Sequence, residues 1–199
     1  DGKFDVWAAR WTGERWSEPV RVSESGANDW APTLAAAPDG SVYAAWDGYD
    51  AGHYDISLRR MLASGSGIRL DDTIRVTRSE TYDAHPSLAV DGQNRVWLAW
   101  TEAGPNWGKD WGVLGKEGTQ VRESRRIRLV RYAGGRFSEP ARELQASVPD
   151  WLASMHEYPR VAIGPNGLPY VFFRRNIHRL PMPEHELQLG MGSLKHKVN

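Results

Sequence analysis

Histidine, tyrosine, arginine and carboxylate side chains recur at a few fixed places in this 199-residue chain. Glu102, Asp110, Asp47, Asp50 and Glu157 could supply two carboxylates, one acting as an acid and the other as a base or nucleophile across a glycosidic bond. His85, Tyr158, His156 and Arg174 suit a different reaction: a His or Tyr base removes a proton while a cation neutralises an adjacent carboxylate. Asp29, Asp83, His85 and His156 could together offer oxygen and imidazole ligands to a divalent cation such as Ca²⁺, Mn²⁺ or Zn²⁺. Their spacing has no motif character, so no cofactor is expected. Trp107 and Trp111 suit stacking on sugar rings, and Lys109 and Asp110 suit hydroxyl or carboxylate groups.

These residues are held by a pattern that occurs three times. It runs Pro32-Thr-Leu-Ala35 to Trp46, Pro86-Ser-Leu-Ala89 to Trp100, and Pro159-Arg-Val-Ala162 to Phe173. In each copy the proline and the closing aromatic lie 14 positions apart. A turn pair, Asp39-Gly40, Gln93-Asn94 or Asn166-Gly167, falls between two alternating runs. Such pairs suit the positive φ of tight hairpin turns. The pattern predicts hairpins of strands 32–37 and 41–46, 86–90 and 95–100, and 159–163 and 168–173. Third strands are expected at 4–10, 54–59 and 126–131, and fourth strands at 19–23, 73–77 and 140–144.

Four short antiparallel strands in a repeat of roughly 50 residues is the arithmetic of a β-propeller blade. The expected class is all-β, a partial propeller of about three blades' worth from a six- or seven-bladed parent. The divisions are a half blade 1–25, a blade 26–79, a blade 80–147, a half blade 148–179, and an irregular tail, linker or divergent last strands 180–199. Propellers close with about four to eight blades. Further blades or a second chain are therefore expected to complete the ring.

The repeated hairpin resembles blades of the sialidase-like (BNR-type) and TolB-like propellers over most of residues 1–175. The sialidase Asp-box, Ser-x-Asp-x-Gly-x-Thr-Trp, is not matched, since Asp39-Gly40 to Trp46 only approximates it. The Arg-Ile-Pro type motif is absent too, so no sialidase catalytic residue is carried over. More loosely, the blades resemble propeller modules of large secreted bacterial proteins that stand beside a metal-dependent hydrolase domain. That resemblance implies export, extracellular or periplasmic, with the chemistry in a neighbouring domain.

Propeller topology groups the loops leading into strand 1 with those leaving strand 2, and loops on a rigid scaffold carry function. His53, His85, His156 and His178 fall in these loops. The expected catalytic residues are Glu102, Asp110, His85, Tyr158 and Arg174. The expected ligand contacts are Asp29, Trp30, Asp83, Trp107, Lys109, Trp111 and His156. The insert 102–125 is the longest of these loops, and long loops in compact domains are usually functional or disordered.

Each feature also has a plainer role. Trp46, Trp100 and Phe173 suit packing between sheets, and Asp29 and Asp83 suit turn hydrogen bonds. Arg174 and Arg175 are neighbours on a strand, so at most one should face a ligand.

Composition narrows the partners. Lys plus Arg and Asp plus Glu are each 25, which leaves no net charge to recruit nucleic acid or a membrane surface. No apolar run approaches the ~20 residues of a membrane span. There is no cysteine to make disulfides or thiolate metal sites. The opening at Asp1 suggests a processed or trimmed chain. The function expected is a carbohydrate-directed module, either a glycoside hydrolase or a polysaccharide lyase, with a glycan or other polar small molecule as ligand. The alternative is a non-catalytic module that binds glycan or protein within a larger secreted protein.

Overall fold

A computed structural model of the chain describes residues 3–50, 52–105, 125–152 and 155–175. Among these residues the chain is all-β, with two short 3-10 turns at Gln145–Ser147 and Asp150–Leu152 and no helix long and apolar enough to cross a membrane. The expected positions Asp110, Trp107, Lys109 and Trp111, and the tail 180–199, lie outside the described residues.

The strands are β1 (Trp7–Ala8), β2 (Val20–Arg21), β3 (Asn28–Ala36), β4 (Val42–Asp50), β5 (His53–Ser64), β6 (Gly67–Leu70), β7 (Ile74–Arg75), β8 (Tyr82–Val90), β9 (Val96–Ala103), β10 (Arg126–Ala133), β11 (Arg136–Ser138), β12 (His156–Ile163) and β13 (Pro169–Arg175). Two antiparallel meanders form the centre. One runs β3-β4-β5 with β6 and β7 both paired to β5, and the other runs β8-β9-β10-β11. A single parallel pairing, Tyr54 with Tyr82, joins them. The pairs β1-β2 and β12-β13 stand apart as separate sheets. The described strands do not close into a ring.

Turn chemistry explains the hairpins. Gly40, Asn94 and Gly167 occupy one position of the repeat, with φ of 82°, 58° and 73°. That left-handed region suits Gly and Asn.

The fourth strands differ from expectation. Residues 140–144 form no strand. Gly134 and Gly135, with φ of 56° and 79°, make a two-residue turn that starts β11 at once. Pro140, which has no N–H to donate, follows soon after β11. In the first meander β5 runs on to Ser64 and turns back at Gly65 (φ 56°) into β6. Its outer strand is therefore split into β6 and β7.

Two apolar clusters hold the sheets together. Ala45, Ile56, Leu58, Leu88, Leu98, Trp100 and Val130 pack between the meanders. Val6, Val22, Ala44, Trp46 and Met61 join the β1-β2 pair to the first meander. Trp46 and Trp100 are 2% and 4% exposed, so both are packing residues. β8 lies against both β3 and β12, which brings the three proline-bearing strands side by side.

Candidate functional site

Those three strands line one cavity of about 350 Å³, walled by Ala31, Pro32, Thr33, His85, Pro86, Tyr158 and Arg160. It draws one pre-proline residue from each repeat. The imidazole of His85 stacks on the phenol ring of Tyr158, with centroids 4.1 Å apart and planes at 29°. The Arg174 guanidinium lies over the Tyr158 ring, 4.4 Å from its centroid. Tyr158 is 42% exposed, whereas His85 is half-buried.

His85 Nδ1 is buried without a hydrogen-bond partner among the described residues. Burial holds the imidazole pKa below its ordinary value, opposed by the charge of Glu157 and helped by those of Arg160 and Arg174. His85 is therefore neutral near pH 7 and able to accept a proton.

Behind the cavity Glu157 is buried and held by two guanidiniums. Arg174 donates to Oε1 from Nε at 2.9 Å and Nη2 at 2.7 Å, and Arg125 Nη1 donates to Oε2. A carboxylate held this way orients its arginines and is a poor nucleophile. Arg160 lines the cavity and donates to the carbonyl of Pro159. Arg175 turns the opposite way, its guanidinium 5.8 Å from the Trp151 ring, as strand alternation requires.

Asp47 sits beneath His85, 3% exposed, and its Oδ1 accepts the His85 main-chain N–H at 3.2 Å. Burial pushes its carboxyl up to about 6, and the charge of Asp29 adds to the shift. Burial also raises the phenols of Tyr54 and Tyr82, to which the Asp47 charge contributes. Rings continue away from the cavity. Tyr82 is 6.2 Å from His85, Tyr54 is 4.9 Å from Tyr82, Trp30 is 5.5 Å from Tyr54, and Phe4 is 6.2 Å from Trp30.

The expected residues thus divide. His85, Tyr158 and Arg174 come together, and Trp30 joins them through Tyr54 and Tyr82. Glu102 does not line this cavity. It pairs with Arg126 at 2.5 Å and Arg128 at 3.7 Å, and faces a separate cleft with Asp83 and Trp100.

Three of the expected ligand contacts are structural. Asp83 accepts from Ser79 Oγ, Thr81 Oγ1 and Trp100 Nε1. Asp29 accepts from Ser25 Oγ at 2.7 Å, the same offset of four residues as Ser79 to Asp83. Both do the turn and packing work of a buried Asp. His156 is fully buried, its Nε2 against the Leu152 carbonyl and its ring 4.4 Å from Phe173. Burial lowers its pKa, and the ring is closed to a ligand. Among the described residues no cluster of three or more His, Asp or Glu side chains could hold a metal.

Sequence reasoning missed Arg125, Arg160 and the partnership of Asp47 and Thr101 with the pre-proline residues. Only the last left a signal, since both acceptors directly follow a closing tryptophan. No protein-family model matches the chain, and no curated protein sequence is significantly similar to it.

Proposed function

We propose that this chain is part of a sialidase-like β-propeller and that the cavity around His85 and Tyr158 acts on an acidic glycan by β-elimination. The supporting observation is the stack of the His85 imidazole on the Tyr158 phenol, 4.1 Å apart, in a cavity lined by Arg160, with the Arg174 guanidinium over the Tyr158 ring. The strand order supports the architecture: two four-stranded meanders are flanked by pairs that would supply the remaining strands of adjoining blades. Further blades or a second chain complete the ring. A polymeric glycan substrate fits an exported module, extracellular or periplasmic.

In this reaction the carboxylate of a uronate residue meets Arg160 and Arg174, which stabilise the negative charge that develops when the adjacent C5 loses its proton. His85 takes the C5 proton. The electron pair left behind forms the C4=C5 double bond as the C4–O4 bond breaks. Tyr158 gives its phenolic proton to the departing O4, and the two residues exchange protons with water afterwards. No oxidant or water is consumed.

The test is to incubate the protein with homopolymeric uronans and follow the ultraviolet absorbance of the unsaturated uronate end. Growth of that absorbance, abolished by His85→Ala, supports the reading. Reducing ends that appear without it would mean hydrolysis and would overturn it. A second reading, a glycan-binding module without chemistry, is favoured by the run of rings from Phe4 through Trp30, Tyr54 and Tyr82 to His85. It predicts oligosaccharide binding that survives His85→Ala, with no unsaturated product from either protein.

A further inference from the structure

Ala31, His85 and Tyr158 share a backbone state that their own chemistry opposes. Their φ values are 43°, 57° and 53°. Residues with a Cβ are disfavoured in that region, and a following proline pushes them further towards extended backbone. Each lies where the register of its strand slips: between Trp30 and Thr33, Ala84 and Ser87, and Glu157 and Arg160. A bulge of this kind re-aims a side chain, and all three residues line the cavity. Such strain persists only where the surroundings over-determine it.

Two hydrogen bonds supply that constraint, and each crosses from one repeat to the next. Asp47 Oδ1 accepts the His85 N–H at 3.2 Å, and Thr101 Oγ1 accepts the Tyr158 N–H at 3.1 Å. The acceptors are equivalent, Asp47 following Trp46 and Thr101 following Trp100. Both are buried and neither lines the cavity. At the first copy the same positive φ and register slip carry only the methyl group of Ala31.

We propose that Asp47 and Thr101 are the positioning residues of this site, each gripping the main-chain N–H of the next repeat's pre-proline residue and so holding the His85 imidazole against the Tyr158 phenol. The catalytic meaning of this grip rests on the elimination reading, whereas the grip itself does not. The side chains of Asp47 and Thr101 touch no substrate. They act through the backbone of residues that do.

Two measurements test it on the 199-residue chain. In the unaltered protein the His85 and Tyr158 amides should resist hydrogen exchange and their rings should show mutual NOEs. Thr101→Val, which keeps shape but removes the acceptor, should abolish those NOEs, and Thr101→Ser should restore them. Asp47→Ala should behave as Thr101→Val, and Asp47→Asn, which keeps an acceptor oxygen, as Thr101→Ser. On a uronan, the variants without an acceptor should lose kcat on the order of a hundredfold with KM little changed, the pattern of misplaced reacting groups. Amides that exchange as fast as unstructured peptide, or ring NOEs that survive Thr101→Val, would overturn the proposal. Should that variant fail to fold, amide protection in the unaltered chain decides. A chain that cleaves no uronan yet shows these NMR effects would remove the elimination reading and leave the positioning intact.

Discussion

His85 and Tyr158 stack at 4.1 Å although they belong to different repeats, one on β8 and the other on β12. If the pair performs the elimination, His85→Gln and Tyr158→Phe each remove one proton-transfer group, a contribution of about 10²–10⁴-fold. We expect kcat on uronan to fall by that order while oligosaccharide affinity, measured by calorimetry, changes less than about threefold. Because the imidazole pKa is lowered from 6.5, the acid limb of kcat/KM should lie below the ordinary histidine range. An acid limb above it would contradict the role given to His85.

Arg160 lines the cavity and has an exposed side chain. Arg160→Ala should weaken a uronate oligomer by about ten- to a hundredfold, the worth of one charge-assisted hydrogen bond, and leave a neutral oligosaccharide unaffected. Added salt should narrow the gap between wild type and variant. Equal losses for acidic and neutral ligands would rule out a carboxylate contact.

Asp47 makes stability depend on pH in a direction set by its raised pKa. Its carboxyl titrates near 3.8 unfolded and at about 6 folded. Between these values the folded state holds more protons, so stability contributed by the protonated form is lost as pH rises from about 4 to about 6. The shift corresponds to about 3 kcal/mol. Urea unfolding of wild type and Asp47→Asn at pH 4 and pH 8 isolates this group. The variant should gain on wild type by about 2–3 kcal/mol between the two conditions, and no change in the difference would refute the assignment.

Asp91 acts in the opposite sense. Burial would raise its carboxyl, but hydrogen bonds from Trp97 Nε1, Arg95 Nε and the amides of Gln93 and Arg95 hold it down at about 2. Its contribution is present above the ordinary Asp value and is lost as pH falls towards 2. Asp91→Ala strips four donors of their acceptor at the β8-β9 turn and should cost about 3 kcal/mol at pH 7 in denaturant unfolding. The penalty should shrink on acidification.

Gly48 lies opposite Asp29 on neighbouring strands, and a Cβ there would stand 2.6 Å from Asp29 Oδ1. Asp29 is buried and tied to Ser25, so it cannot swing away freely. Gly48→Ala should destabilise by about 1–3 kcal/mol. Gly40→Ala, at φ 82° with open space around it, tests backbone strain instead of a clash.

The sequence by itself determined the three proline-to-aromatic hairpins and the third strands that follow two of them. Alternating apolar residues, the repeated proline and closing aromatic, and the Gly or Asn at each turn are local signals. They act over the few residues that a strand or hairpin joins. The tight turns at Gly40, Asn94 and Gly167 follow from them directly. Local signals failed at 140–144, where alternation suggested a strand, because Gly134-Gly135 had already turned the chain and spent the free edge of β10 on β11.

Only the tertiary structure decided which chemical residues meet. Asp83 and His85 are two positions apart and would share a face of a regular strand. The bulge between Ala84 and Ser87 sends Asp83 into the packing beside Trp100 and His85 into the cavity. Arg125 and Arg174 reach Glu157 from two different strand ends, and Thr101 reaches Tyr158 from the preceding repeat. Such partnerships depend on how sheets pack across a seam, a distance in space that periodicity along the chain does not encode.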